Sequence, residues 1–295
     1  MSEKTPPLGR TYEVAGRRLA LHRSGEGGPA VVFLPGAGLV GLDFLNVHER
    51  VAAFTTSVVY DRAGTGWSDP APLPRRPGEV AGELRELLRA AGVPGPYVLA
   101  GHSLGAFYAR RYAQLHPADV AGLLLLDPGH EDIASYLPPE MTELNERMKP
   151  DPAQLPELTD EQLAAGRAQY AQLYAAWPDA VRDALAEHHL TTWRSSLAET
   201  ENFETDVYDE LRGGGPLPDV PLLVLTAGGD NPYWERFMSR ELMRQGLDGI
   251  RAMHAAIAAS VPRGEQRVLE GGSHQYAHLE QADEVVRAVR DLVKR

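Results

Sequence analysis

The stretch YVLAGHSLGAFYARRYA, residues 97–113, sets one serine between two glycines where two unlike patterns meet. YVLAG (97–101) is a short apolar run suited to a buried strand. LGAFYARRYAQLHP (104–117) has helical spacing and stops at a proline. Gly101-His102-Ser103-Leu104-Gly105 is therefore G-x-S-x-G in a strand–turn–helix setting, the context required of a nucleophile elbow. The physics is steric. A serine on so sharp a turn takes a strained backbone conformation that points its hydroxyl outward. Glycines two residues to either side let strand and helix approach without Cβ clashes. The helix N-terminus behind the serine adds positive potential where negative charge develops. The bland alternative is an ordinary turn serine.

Working outward, AVVFLPG (30–36), TTSVVYDRAG (55–64) and AGLLLLDPG (121–129) read as further strands. PGEVAGELRELLRAAGV (77–93) reads as a helix opened by proline and closed by glycine. Strands alternating with helices predict a mostly parallel central sheet with helices on both faces, an α/β fold. RTYEVAGRRLALHRSG (10–25) alternates about Ala15-Gly16 and suits an antiparallel edge hairpin. Residues 131–215 lack β-branched runs and carry helical patterns at 159–177 and 178–206, ending in GGGPLP. A strand returns in VPLLVLTAGG (220–229), then a helical pattern (233–260), a short strand QRVLEGG (266–272) and a last helix (282–295). The expected organisation is an α/β core from 1–130 and 216–295, interrupted by a helical lid at 131–215.

A serine needs a base to take its proton. His274, in LEGGSHQYAHLEQADEV, follows a predicted strand at the end where a parallel sheet presents its site. His278 is its nearest rival, and the two are spaced i, i+4 as metal ligands sometimes are. No glutamate follows the first histidine as in H-E-x-x-H, so no metal is expected. The imidazole needs a carboxylate to fix its tautomer. Asp127, ending GLLLLD, and Asp230, in GGDNPYW, both preserve the order Ser…Asp…His. Each is also an ordinary turn residue. Oxyanion donors are expected from the N–H groups of Leu104 and of Ala37 in LPGAGL (34–39). Gly36 and His102 flank the serine. Together with Tyr170, Tyr174, Trp177 and Trp193 of the lid they are candidate pocket walls, although an aromatic stripe at helical spacing also suits packing against the core.

Charge and composition bound the partners. Among 295 residues the net charge is −12, which argues against a nucleic-acid partner. Residues 131–215 hold 18 acidic and 6 basic side chains, while the remaining 23 and 23 cancel. That segment is either a solvated face or a surface attracting cations. Cysteine is absent, which excludes disulfides and thiolate chemistry. No apolar run is long enough to cross a bilayer, and MSEKTPPLGR lacks a secretory core. A cytoplasmic location is the expectation.

Taken together, LPGAG, YDRAGTGWSDP (60–70), GHSLGA, LLLLDP, VLTAGGD and GGSHQYAHLE resemble the α/β-hydrolase family of serine hydrolases. The resemblance runs nearly end to end and implies the α/β-hydrolase fold, with 131–215 as its lid. Pro35 stands where the family more often has histidine, which leaves the backbone donors in place. The family usually puts its acid after the strand containing VLTAGG, which implies Asp230. A minority puts it one strand earlier, and the branch most resembled here implies Asp127. Ser103 argues against dehalogenases and epoxide hydrolases of this fold, which use aspartate there. The implied activity is cleavage of an ester, lactone or related acyl bond in a small molecule, without a cofactor, and the aromatic candidates for pocket walls point to a largely apolar substrate. The alternatives are a non-hydrolytic cyclase or lyase, an aminopeptidase reading an amine through ETENFETDVYDE (199–210), or a ligand receptor.

Overall fold

The computed structural model describes residues 5–151, 154–229 and 236–295. Eight strands form one sheet: β1 (Arg10–Val14), β2 (Arg17–Ser24), β3 (Ala30–Leu34), β4 (Ser57–Tyr60), β5 (Tyr97–His102), β6 (Val120–Leu126), β7 (Leu222–Ala227) and β8 (Gly264–Leu269). Their spatial order is β1-β2-β4-β3-β5-β6-β7-β8. β2 pairs antiparallel with both β1 and β4, and all other pairs are parallel. β5, which carries the serine, thus lies near the middle, between β3 and β6.

The helices are α1 (Leu45–Ala52), α2 (Pro77–Ala90), α3 (Leu104–Leu115), α4 (Pro139–Met148), α5 (Asp160–Leu173), α6 (Asp179–Ala198), α7 (Tyr208–Gly213), α8 (Arg240–Ala259), α9 (Ala277–Glu280) and α10 (Ala282–Val293). Along β3, Ala30, Val32 and Leu34 join a core with α2, α3 and α8, while Val31 and Phe33 join a second core with α1 and α10. Both faces are covered, so the strand reads as continuous apolar sequence rather than as an alternation. The sequence expectation passed over α1. Its apolar face is only Leu45, Val47 and Val51, too short a stripe to stand out before β3 and β4 flank it.

Between β6 and β7 the described residues form no strand. They form α4 to α7, with a π-helical turn at Phe203–Val207. α5 opens with a capping box, in which Thr159 and Gln162 exchange side-chain-to-backbone bonds. This inserted segment docks on both cores. Tyr174, Trp177, Val181 and Leu185 join the core of α1, while Val207 and Leu211 join that of α2 and α3. Its acidity is partly spent on this docking. Glu131 accepts two bonds from Arg110 at 2.7 Å, Asp206 pairs with Arg76 at 2.6 Å, and Glu210 accepts the Gly78 N–H at 2.7 Å. Among the described residues no helix is long and apolar enough to cross a membrane.

Candidate active site

Ser103 sits between β5 and α3 with φ 49° and ψ −116°. Only three non-glycine residues among those described have positive φ, and two of them are Ser103 and Asp127. Such backbone is costly and persists where surrounding packing enforces it. The flanking glycines show how. A Cβ on Gly105 would lie 2.0 Å from the Leu34 carbonyl oxygen, and one on Gly101 would lie 2.5 Å from that of Gly105. α3 therefore rests directly on the ends of β3 and β5.

The loop between β8 and α9 brings His274 to the serine. His274 Nε2 lies 3.1 Å from Ser103 Oγ, and Nδ1 lies 2.5 Å from Asp127 Oδ2. The other Asp127 oxygen accepts the Ala227 N–H at 2.8 Å, which orients the carboxylate. An ionised carboxylate only accepts, so Nδ1 carries the proton and Nε2 is free to accept from the serine hydroxyl. The His274 ring is half exposed, and local desolvation works to lower its pKa, but the bond and charge of Asp127 outweigh this and hold it above the ordinary histidine value. Burial likewise opposes ionisation of Asp127, yet His274, His254 and the Ala227 N–H hold its pKa below the ordinary carboxylate value. The rival acid, Asp230, lies outside the described residues.

Two further histidines brace this chain, and sequence reasoning assigned neither a bracing role. His254, on α8, donates from Nε2 to the Pro128 carbonyl at 2.8 Å. Its Nδ1 is 2.9 Å from the Thr226 hydroxyl, whose oxygen also takes a Gln266 amide bond at 2.9 Å. Burial lowers the His254 pKa, consistent with a neutral ring that fixes the turn behind Asp127. His102 turns away from the serine and donates from Nε2 to the His274 carbonyl at 2.8 Å. Burial, then the charges of His274 and His278, push its pKa down to about 3, so it stays a neutral strut. Neither role leaves a signature in sequence, because each partner is a distant backbone carbonyl.

The loop after β3 packs on the same elbow. A Cβ on Gly36 would lie 3.3 Å from Ser103 Cβ and 2.7 Å from His102 Nδ1. Among the described residues the Ala37 N–H makes no hydrogen bond, whereas Gly38 donates to Glu199 and Leu39 to the Gly36 carbonyl. Leu104 opens α3, so its N–H has no intrahelical acceptor. Ala37 and Leu104 thus offer two uncommitted donors beside the serine.

A cavity of about 400 Å³ opens on Ser103, Asp127 and His274. Its walls include Phe107, Met141, Phe203, Met243, Leu247 and Ile250, from α3, α4, α8 and the inserted π turn. The lid aromatics singled out in the sequence lie elsewhere. Tyr170, Tyr174 and Trp193 border a separate cavity of about 190 Å³ beside Ala37 and Gln275. Tyr174 donates to Asp43 at 2.5 Å, and Asp43 also holds His189 at 2.9 Å. Trp177 donates to the Leu42 carbonyl at 2.9 Å. Tyr174 and Trp177 dock the insertion, which is why their polar atoms face the core. Gly36 and His102 abut the elbow without bordering the larger cavity. His278 stacks on Phe44 at 4.3 Å, and among the described residues no group of three or more potential ligands could hold a metal.

Residues 31–288 match the family model described as "Alpha/beta hydrolase family". Among curated proteins, uncharacterized protein YqjL of Bacillus subtilis (strain 168) is 33% identical over 145 residues, 47% of this chain and 56% of that protein. Uncharacterized protein YbdG of the same organism is 26% identical over 123 residues, covering 41% and 38%. The chain thus spans about half or less of the length of these relatives. Among solved structures, an esterase from Thermogutta terrifontis superposes with a TM-score of 0.57 at 22% identity, covering 96% of this chain and 97% of that one. The enol-lactonase from Burkholderia xenovorans LB400 gives 0.62 at 18%, covering 97% and 100%. Epoxide hydrolase VrEH1 from Vigna radiata gives 0.70 at 18%, covering 97% of each. At such identities the likeness concerns the fold.

Proposed function

The chain belongs to the alpha/beta hydrolase family, and from that membership we propose that it is a serine hydrolase cleaving a carboxylic ester, lactone or related acyl bond through an acyl-enzyme. The observation that carries this reading is the hydrogen-bonded series Asp127–His274–Ser103 opening on an apolar cavity. His274 Nε2 takes the serine proton as Oγ attacks the acyl carbon. The negative charge on the former carbonyl oxygen is received by the N–H groups of Ala37 and Leu104. The imidazolium, held by Asp127, returns its proton to the leaving group. Water, deprotonated by the same imidazole, then releases the acid and restores the serine.

The cavity favours an apolar small-molecule substrate. Among its described lining residues the one carboxylate is Asp127, which His274 already engages. Glu199, Asp206 and Glu210 of the acidic stretch are committed to Arg62, Arg76 and the Gly78 N–H. An amine-reading aminopeptidase therefore has less support than an esterase or lactonase.

The test is turnover of an activated aryl ester together with labelling by a fluorophosphonate. Wild-type protein is expected to do both and Ser103→Ala neither. Asp127→Asn is expected to lower kcat on the order of 10³–10⁴-fold, because His274 loses its working tautomer. Labelling of Ser103 without turnover of any ester or lactone would favour a non-hydrolytic or receptor role instead.

A further inference from the structure

One buried ion pair lies outside the catalytic series yet touches the loop beside it. Arg62 follows β4 and Glu199 caps the C-terminal end of α6, in the insertion. Their side chains are 1% and 3% exposed, with Nη2 and Oε1 2.6 Å apart. The same guanidinium donates from Nη1 to the Pro35 carbonyl at 2.6 Å and from Nη2 to the Gly36 carbonyl at 3.1 Å. The other Glu199 oxygen accepts the Gly38 N–H at 2.8 Å. These contacts bracket Ala37 on both sides. A trans peptide is planar, with its C=O and N–H pointing opposite ways. Fixing the Gly36 carbonyl on Arg62 therefore aims the Ala37 N–H away from Arg62. The insertion closes the arrangement. Gly38 has φ 72°, and a Cβ there would lie 2.6 Å from Ser196 Cβ in the last turn of α6.

We propose that Arg62 and Glu199 are positioning residues that aim the Ala37 N–H at the developing oxyanion, so that the inserted segment completes the oxyanion site. This rests on the hydrolase reading above. It assigns the insertion a part in transition-state binding as well as in covering the sheet. It also accounts for a full charge pair held in a dry place, where the mutual attraction of the two charges alone is weak evidence of a stabilising role.

The test uses Arg62→Leu/Glu199→Leu, which leaves neither charge buried alone, beside Glu199→Gln, which keeps an acceptor for Gly38. Active sites are titrated with a fluorophosphonate, so that kcat refers to folded, competent protein. The double variant is expected to lose some Tm, since the Pro35 and Gly36 carbonyls and the Gly38 N–H lose buried partners, and to keep KM within about threefold. Its kcat per titrated site should fall about 10–100-fold, short of the full loss of an oxyanion donor. Affinity for phenylboronic acid, whose serine adduct is tetrahedral, should weaken by a similar factor. Glu199→Gln should fall between wild type and the double variant. Wild-type kcat per site in the double variant, or a loss of kcat with unchanged boronate affinity, overturns the positioning role alone. A wild-type protein that is neither labelled nor active overturns the hydrolase reading and this inference with it.

Discussion

At the residue scale, His274 is pulled two ways, by local desolvation toward neutrality and by Asp127 toward charge, and Asp127 prevails. In the proposed mechanism His274 is the general base, and a general base works only when neutral. Raising its pKa therefore moves the acid limb of the rate profile upward, and kcat/KM should fall with decreasing pH through an apparent pKa above 6.5. In Asp127→Asn the charge that raises this pKa is gone, so the residual activity should show its limb at lower pH. A pH–rate profile of the two proteins checks both statements, and a common limb would contradict them. His102 adds no second limb, since its pKa is pushed down to about 3. The meeting of Ser103 and His274 was legible because each stands in a telling local context, a motif on a turn and a histidine past a strand. The choice between Asp127 and Asp230 was not, because sequence order permits either. Among the described residues Asp127 is the carboxylate bonded to His274, and Asp230 lies outside them. The struts His102 and His254 were illegible for the reason given by their partners, each a backbone carbonyl far along the chain.

At the element scale, the elbow depends on α3 lying against β3. Gly105→Ala would place a methyl group 2.0 Å from the Leu34 carbonyl oxygen, a backbone atom that cannot swing aside. A destabilisation of about 1–3 kcal/mol or more is expected. Gly213→Ala, where a Cβ meets nothing within 4 Å, serves as the control and should change little. Urea midpoints of the two variants measure the contrast, and equal midpoints would refute the packing argument. The strands were readable because burial on both faces leaves plain apolar runs. AVVFLPG begins with β3, and YVLAG ends one residue short of β5. The helical pattern of 178–206 spans both α6 and the π turn, since periodicity continues where the hydrogen-bonding pattern changes. The Tyr/Trp stripe between residues 170 and 193 was ambiguous for a similar reason. Spacing says which side chains share a face, and only the docked structure says what that face meets.

At the scale of the whole molecule, the cavity exists because segments remote in sequence converge at one end of the sheet, with α3, α4, α8 and the π turn each supplying walls. No single stretch encodes it, so its apolar lining was invisible beforehand. Within the proposed reading, kcat/KM for linear esters should climb about fourfold per added methylene, the equivalent of about 0.8 kcal/mol each, until the space is filled. A series of aryl esters of increasing acyl length measures this, and a flat or falling series would place the chain outside the cavity. Three of the six methionines, Met141, Met238 and Met243, stand along that same wall. With no cysteine in the chain, thioethers are its only sulfur. Hydrogen peroxide delivers one oxygen atom to each such sulfur, leaving a polar sulfoxide and water. Mild peroxide should therefore blunt the preference for greasy substrates while Ser103 still reacts with fluorophosphonate, and methionine sulfoxide reductases should restore it. Oxidative damage would thus alter the selectivity of this protein before it reaches the reacting groups.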